Sequence, residues 1–268
     1  MAELPIYVWA VLLAAVLGIP AVTGVMLYRA ALIAGIGRRA GAGVAGVFAA
    51  GWGGWLLVTG HLASAGVYSA RGGPWFLVAV ANALALLLLA SRIPLVAGLL
   101  SHPRTSALLA LPHMLRILGV VFLILMIQGH LPAAFAVPAG IGDIAIGVTA
   151  PFLARRLARG SAHHAAVRFH VLGILDLIVA ASIAALITSG LLEVTPSTDL
   201  LRLLPLALVP TAAVPLAAAL HIVSLRQLHT AAIGPAGVTA PTRGRKLKPT
   251  RVNDQQTEDG RADEPGTG

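Results

Sequence analysis

Seven apolar runs, each long enough to cross about 30 Å of hydrocarbon, follow one another along this chain and leave it few ways to fold. They cover residues 5–28, 44–62, 74–90, 110–129, 133–154, 167–189 and 200–225. Inside a bilayer every backbone N–H and C=O must be satisfied within the segment, so runs of this kind become helices. The expected fold is all-α, a polytopic transmembrane helical bundle of about seven spans. An eighth apolar piece, residues 93–100 between Arg92 and Arg104, is too short to span. It is left open whether it lies at the interface, re-enters the membrane or extends its neighbour.

Charge placement argues for the same plan. Assigned to alternate sides of the spans, 17 of the 19 Lys and Arg residues fall on one side and only Arg71 and Arg202 on the other. Positive residues stay in the cytoplasm, so this bias sets the N-terminus outside and the C-terminus inside, which requires an odd number of spans. Trp9, Trp52, Trp55, Tyr68 and Trp75 fall mostly toward the outer surface, where amphipathic rings prefer to sit. The first run has Glu3 and no basic residue before it and is longer than a signal-peptide core, so it reads as a retained span.

With 11% charged and 57% hydrophobic residues and a mean hydropathy of +0.87, the chain has too little polar surface to stay in water. The net charge of +9 reads as topology and not as a nucleic-acid footprint, because the basic residues lie between spans or near the end. The absence of Cys excludes disulfides, thiolate metal sites and Cys nucleophiles. Ala, Gly and Arg in place of Lys fits a bacterial inner membrane on compositional grounds. One transmembrane domain, residues 1–229, is expected, followed by a disordered cytoplasmic tail, 230–268. In that tail Arg243, Arg245, Lys246, Lys248 and Arg251 precede a group of acids. The basic cluster is either solvated or touches anionic lipid headgroups. No internal repeat supports an inverted-repeat fold.

Of ten acidic residues only Asp143 and Asp176 lie deep inside spans, where an ionised side chain costs at least about 2.5–3.5 kcal/mol. Each sits on a stripe of small residues: Ala136, Gly140, Gly147 and Ala150 around the first, Gly173, Ala180 and Ala184 around the second. Such faces admit a second helix at close range. Counting about 1.5 Å per residue puts both acids near one depth, so they can meet. Two carboxylates in contact cannot both be ionised unless a cation lies between them. Arg116 is long enough to reach Asp176 or to snorkel to the cytoplasmic interface, and snorkelling is the expectation. Asn82 completes the candidate buried polar site, with Gln128 a further polar side chain on the path.

His113, His170 and His221 fall at one level in the cytoplasmic third, so a ligand or metal role is open, but none is four residues from another and no HExxH occurs. The plain alternative is interfacial His bonded to lipid phosphates or helix ends, and no cofactor is expected. Pro205, Pro210 and Pro215 should bend or open the last span. The glycines of the second span permit close packing and form no nucleotide loop.

Seven spans with an outer N-terminus resemble the microbial rhodopsins, but the only lysines are Lys246 and Lys248, so no retinal Schiff base can form in the membrane. The stretch RILGVVFLILMIQGHLPAAFAVPAGIGDIAIG, residues 116–147, is similar to one in bacterial multi-pass membrane proteins of unknown function. The likeness lies in ArgxxGly followed by GlyxLeuPro, PheAla and GlyxGlyAsp, and extends to GlyxxAspLeu around Asp176 and the Pro-rich last span. It implies a membrane protein and brings no activity with it. The function expected from the residues is transport of a small solute or protons through Asp143, Asp176 and Arg116. The rivals are a non-catalytic scaffold or partner subunit, whose small-residue faces bind a second copy or another membrane protein, and an intramembrane enzyme.

Overall fold

The computed structural model describes residues 4–69, 74–102 and 104–233. All regular structure among them is helical. Six helices are long and apolar enough to cross a membrane: α1 (Ile6–Ile33), α2 (Arg38–Ser64), the segment Thr105–Ile127, α7 (Ala133–Ala158), α8 (His163–Thr188) and Val209–Thr230. A seventh is obtained if α3 (Trp75–Ala90) and α4 (Pro94–Leu100) count as one span, bent by 82°. The fold is therefore the multi-span helical bundle that the apolar runs require, with six or seven crossings. Most of the expected tail, from residue 234 on, lies outside the described residues.

The short apolar piece is thus a separate helix and not a continuation of its neighbour. Pro94 restricts the residue before it, and Ile93 is extended (φ −57°, ψ 128°), which ends α3 and redirects the chain. Leu99 and Leu100 then bury against Ala30, Ala31 and Leu109.

The segment Thr105–Ile127 is one span made of three pieces: α5 (Thr105–Ala110), a 3₁₀ stretch Leu111–Gly119, and α6 (Val120–Ile127). It packs against α1 on one side and α7 on the other. The last span starts later than its apolar run suggests. After a 3₁₀ turn at Asp199–Arg202 the chain is irregular until a π turn, Val209–Ala213, leads into α9 (Val214–Ile233). The prolines explain this delay. Pro215 has no N–H, so the Thr211 carbonyl loses its helical partner and instead accepts from Trp55 Nε1 of α2 at 2.9 Å.

The molecule is apolar outside as well as within. Leu57, Leu77, Ile127 and Phe152 are exposed, while His113, Arg116, His170 and His221 are buried. In water this distribution would be unfavourable, and in lipid it is the expected one.

Candidate functional site

The site is laid out by the 3₁₀ stretch. With three residues per turn, side chains three apart stand in line, so His113, Arg116 and Gly119 form a single ridge, all three buried. An α-helix would have offset each of them from the next by about 60°. The ridge faces α7: a Cβ on Gly119 would occupy the space of the Asp143 side chain, and one on Gly147 would run into the backbone of Ile117. Both helices of this pair therefore need their glycines to approach.

At the centre of the ridge Arg116 holds both acids. Its Nε donates to Asp143 Oδ1 at 2.7 Å, and its Nη2 donates to Asp176 Oδ2. The arginine side chain is 3% exposed, the carboxylates 18% and 16%. Arg116 does not snorkel as expected, because two acids at membrane depth would each be left unpaired at a cost larger than the gain from reaching the interface. Asp143 and Asp176 lie close enough to share one partner, and that partner is the cation two ionised neighbours require. Gly142 makes the approach possible, since a Cβ there would fill the position of the Asp176 carboxylate.

The three histidines extend this group, coming from three different segments. Arg116 Nη1 lies 3.2 Å from His221 Nε2, and His221 Nδ1 lies 2.9 Å from His170 Nδ1. His113 stacks on His221 with ring centroids 3.8 Å apart, and Phe169 packs against all three rings. A guanidinium only donates, so His221 Nε2 accepts and its proton sits on Nδ1, directed at His170. His113 Nε2 and His170 Nε2 are buried without a partner. None of these rings is at the surface, so the interfacial alternative does not describe them. Gly173 again supplies the space, as a Cβ there would overlap the His221 ring.

Asn82 does not join the site. The buried line of α3 is Ala79 and Ala83, and Asn82 lies about a quarter turn away from it, exposed. Gln128 pairs elsewhere, donating to the Tyr7 hydroxyl of α1. The small-residue stripes are used within the chain, Gly140 against Leu123 and Gly147 against Ile117. Three of the supporting residues, Gly119, Gly142 and Trp55, were not singled out from the sequence as parts of the site. The signal for two of them was a glycine beside Asp143 and a glycine three residues after Arg116.

A cavity of about 50 Å³ opens beside the ion triad, lined by Arg116, Gly119 and Asp143, by Leu12 and Ile19 of α1, and by the π turn at Val209 and Ala213. That is room for a few waters. The polar wall is the arginine and Asp143, and the remainder is apolar.

A family model described as "Domain of unknown function (DUF8737)" matches residues 73–229, more than half of the chain. The chain belongs to this family. The matched region contains Arg116, Asp143, Asp176 and the three histidines, together with the whole 116–147 stretch. The family's description assigns no activity. No curated protein matches the chain, and no solved structure does.

Proposed function

We propose that this is a multi-pass protein of the bacterial inner membrane, N-terminus outside and C-terminus in the cytoplasm, that carries protons or a proton-linked small solute through the Asp143, Arg116, Asp176 site. The observation that carries the reading is that two acids from neighbouring helices share one buried guanidinium. With both carboxylates ionised and the histidines neutral the group has a net charge of −1. An uncompensated charge at membrane depth is costly, so the group favours a state with one more positive charge, and a proton on one carboxylate is the smallest means of supplying it. Exchange of that proton with either side is the elementary step of proton-linked transport. Two further features support it. The adjacent cavity has room for water, and it is bounded by a 3₁₀ stretch and a π turn, irregular elements that recur at hinges and functional sites.

Proton flux into liposomes under an imposed pH gradient tests the reading with the purified protein. Flux should be present in wild type, fall at least tenfold in Asp143→Asn and Asp176→Asn, and remain in Asn82→Leu, which lies outside the site. No flux in folded wild type overturns it.

A second reading, a partner or scaffold subunit, is favoured by one observation. Cβ atoms on Gly43, Gly46 and Gly54 of α2 would meet nothing, leaving a small-residue face outward. Unchanged function in both Asp variants together with loss of assembly in Gly54→Leu would move the weight to it.

A further inference from the structure

We propose that His113, His170 and His221 form a binding site for a first-row transition-metal ion. Candidate ligand atoms of the three imidazoles all lie within 4.8 Å of one another, and all three residues are buried. Tetrahedral zinc with Zn–N bonds of about 2.0–2.1 Å holds its nitrogens about 3.4 Å apart, so the rings must draw together and the stacked His113 and His221 must turn toward a common point to close the set. Imidazole-only ligation suits Zn²⁺, Co²⁺, Ni²⁺ and Cu²⁺, and excludes the oxygen-seeking Mg²⁺ and Ca²⁺.

Two observations independent of that spacing point to a ligand. His113 Nε2 and His170 Nε2 are buried polar atoms with no partner, a condition native proteins rarely tolerate, and an ion gives them something to bind once the His170 proton, held on Nε2 while Nδ1 accepts from His221, has moved or left. The neighbouring ion triad carries net charge −1 when both acids are ionised, which draws a cation into the same region. Phe169 walls the rings and Gly173 leaves the space in which the His221 ring sits, so the histidines are held rather than free to turn to lipid. With three protein ligands the fourth position of the ion stays open, the arrangement found in catalytic and transport sites rather than structural ones.

Binding has a defined cost at His221. Coordination through Nδ1 moves the single proton of the neutral ring from Nδ1 to Nε2, and Nε2–H then faces the Arg116 Nη1 donor. The two donors repel, so the ion displaces Arg116 from His221 while leaving its bonds to Asp143 and Asp176 to be made through Nε and Nη2. The inference does not depend on the transport reading, and metal content reads it without any transport assay.

The test uses the full chain purified in detergent, stripped with a chelator, loaded with Zn²⁺ or Co²⁺ and desalted. Wild type should retain about one equivalent of metal per chain and show the visible absorption of Co²⁺ in a low-symmetry nitrogen site. His170→Gln and His221→Gln should lose at least tenfold in affinity while keeping the helical circular dichroism of wild type, and His61→Gln, exposed on α2, should bind as wild type does. Retention well below one equivalent by folded wild type overturns the proposal, as does undiminished binding in folded His170→Gln and His221→Gln.

Discussion

Gly142 of α7 stands against Asp176 of α8, so closely that a single added methyl would occupy the space of the carboxylate. The glycine is what allows an acid on one helix and an acid on the next to reach the same arginine. The substitution Gly142→Ala therefore acts on the ion triad without touching a charged residue. The Asp176 side chain must shift or the two helices must part, and overpacking of this kind costs about 1–3 kcal/mol. Thermal unfolding in detergent should show the loss. Gly46→Ala, at a helical glycine of α2 whose Cβ would meet nothing, controls for glycine replacement as such. Equal stability of Gly142→Ala and wild type would mean that α7 and α8 do not approach as described.

Removing Arg116 should be more damaging than removing either acid. Breaking a buried ion pair by deleting one partner costs about 3–5 kcal/mol, because the remaining charge is left unpaired. Arg116→Leu leaves two carboxylates facing each other, whereas Asp143→Asn leaves a complete Arg116–Asp176 pair. Adding Asp143→Asn and Asp176→Asn to Arg116→Leu removes both stranded charges, so the triple variant should recover most of the lost stability. Equilibrium unfolding of the four variants checks the order. A triple variant less stable than Arg116→Leu would contradict the charge argument.

The spans and the two acids were legible in the sequence for the same reason: hydrocarbon length and the cost of a buried charge are properties of residue type and spacing alone. The meeting of Asp143 with Asp176 followed from counting depth along two helices. What could not be read was the local helix type. An α-helical period offsets residues three apart by about 60°, so His113, Arg116 and Gly119 would drift around the helix, and the 3₁₀ stretch at Leu111–Gly119 brings them into line. A lone long cation near a helix end ordinarily snorkels, and nothing in the span of Arg116 reveals that two acids from other helices converge on it. The histidines failed for a related reason. Spacing within one helix cannot reveal a cluster that takes one ring from each of three segments. Membership of a span does not fix the face of Asn82, and the buried face of α3 is made by Ala79 and Ala83.

The π turn at Val209–Ala213 should depend on Trp55 by way of Pro215. Pro215 lacks the N–H that would bond the carbonyl four residues earlier, so the Thr211 carbonyl is left free within the bundle and Trp55 Nε1 donates to it at 2.9 Å. Trp55→Phe keeps an aromatic side chain, though a smaller one, and removes the donor, leaving the carbonyl unpaired at a cost of about 1–3 kcal/mol. In a Pro215→Ala background the alanine N–H can take that carbonyl back into the helix ladder, so the same Trp55→Phe change should cost less than half as much. The difference is a coupling energy between Trp55 and Pro215 carried by the Thr211 oxygen, and a double-mutant cycle measures it by equilibrium unfolding. Additive effects would mean that the indole is held for its packing alone. A clear coupling would establish that the opening of the last span is stabilised by α2, and that the wall of the cavity at Val209 and Ala213 is set by the same hydrogen bond.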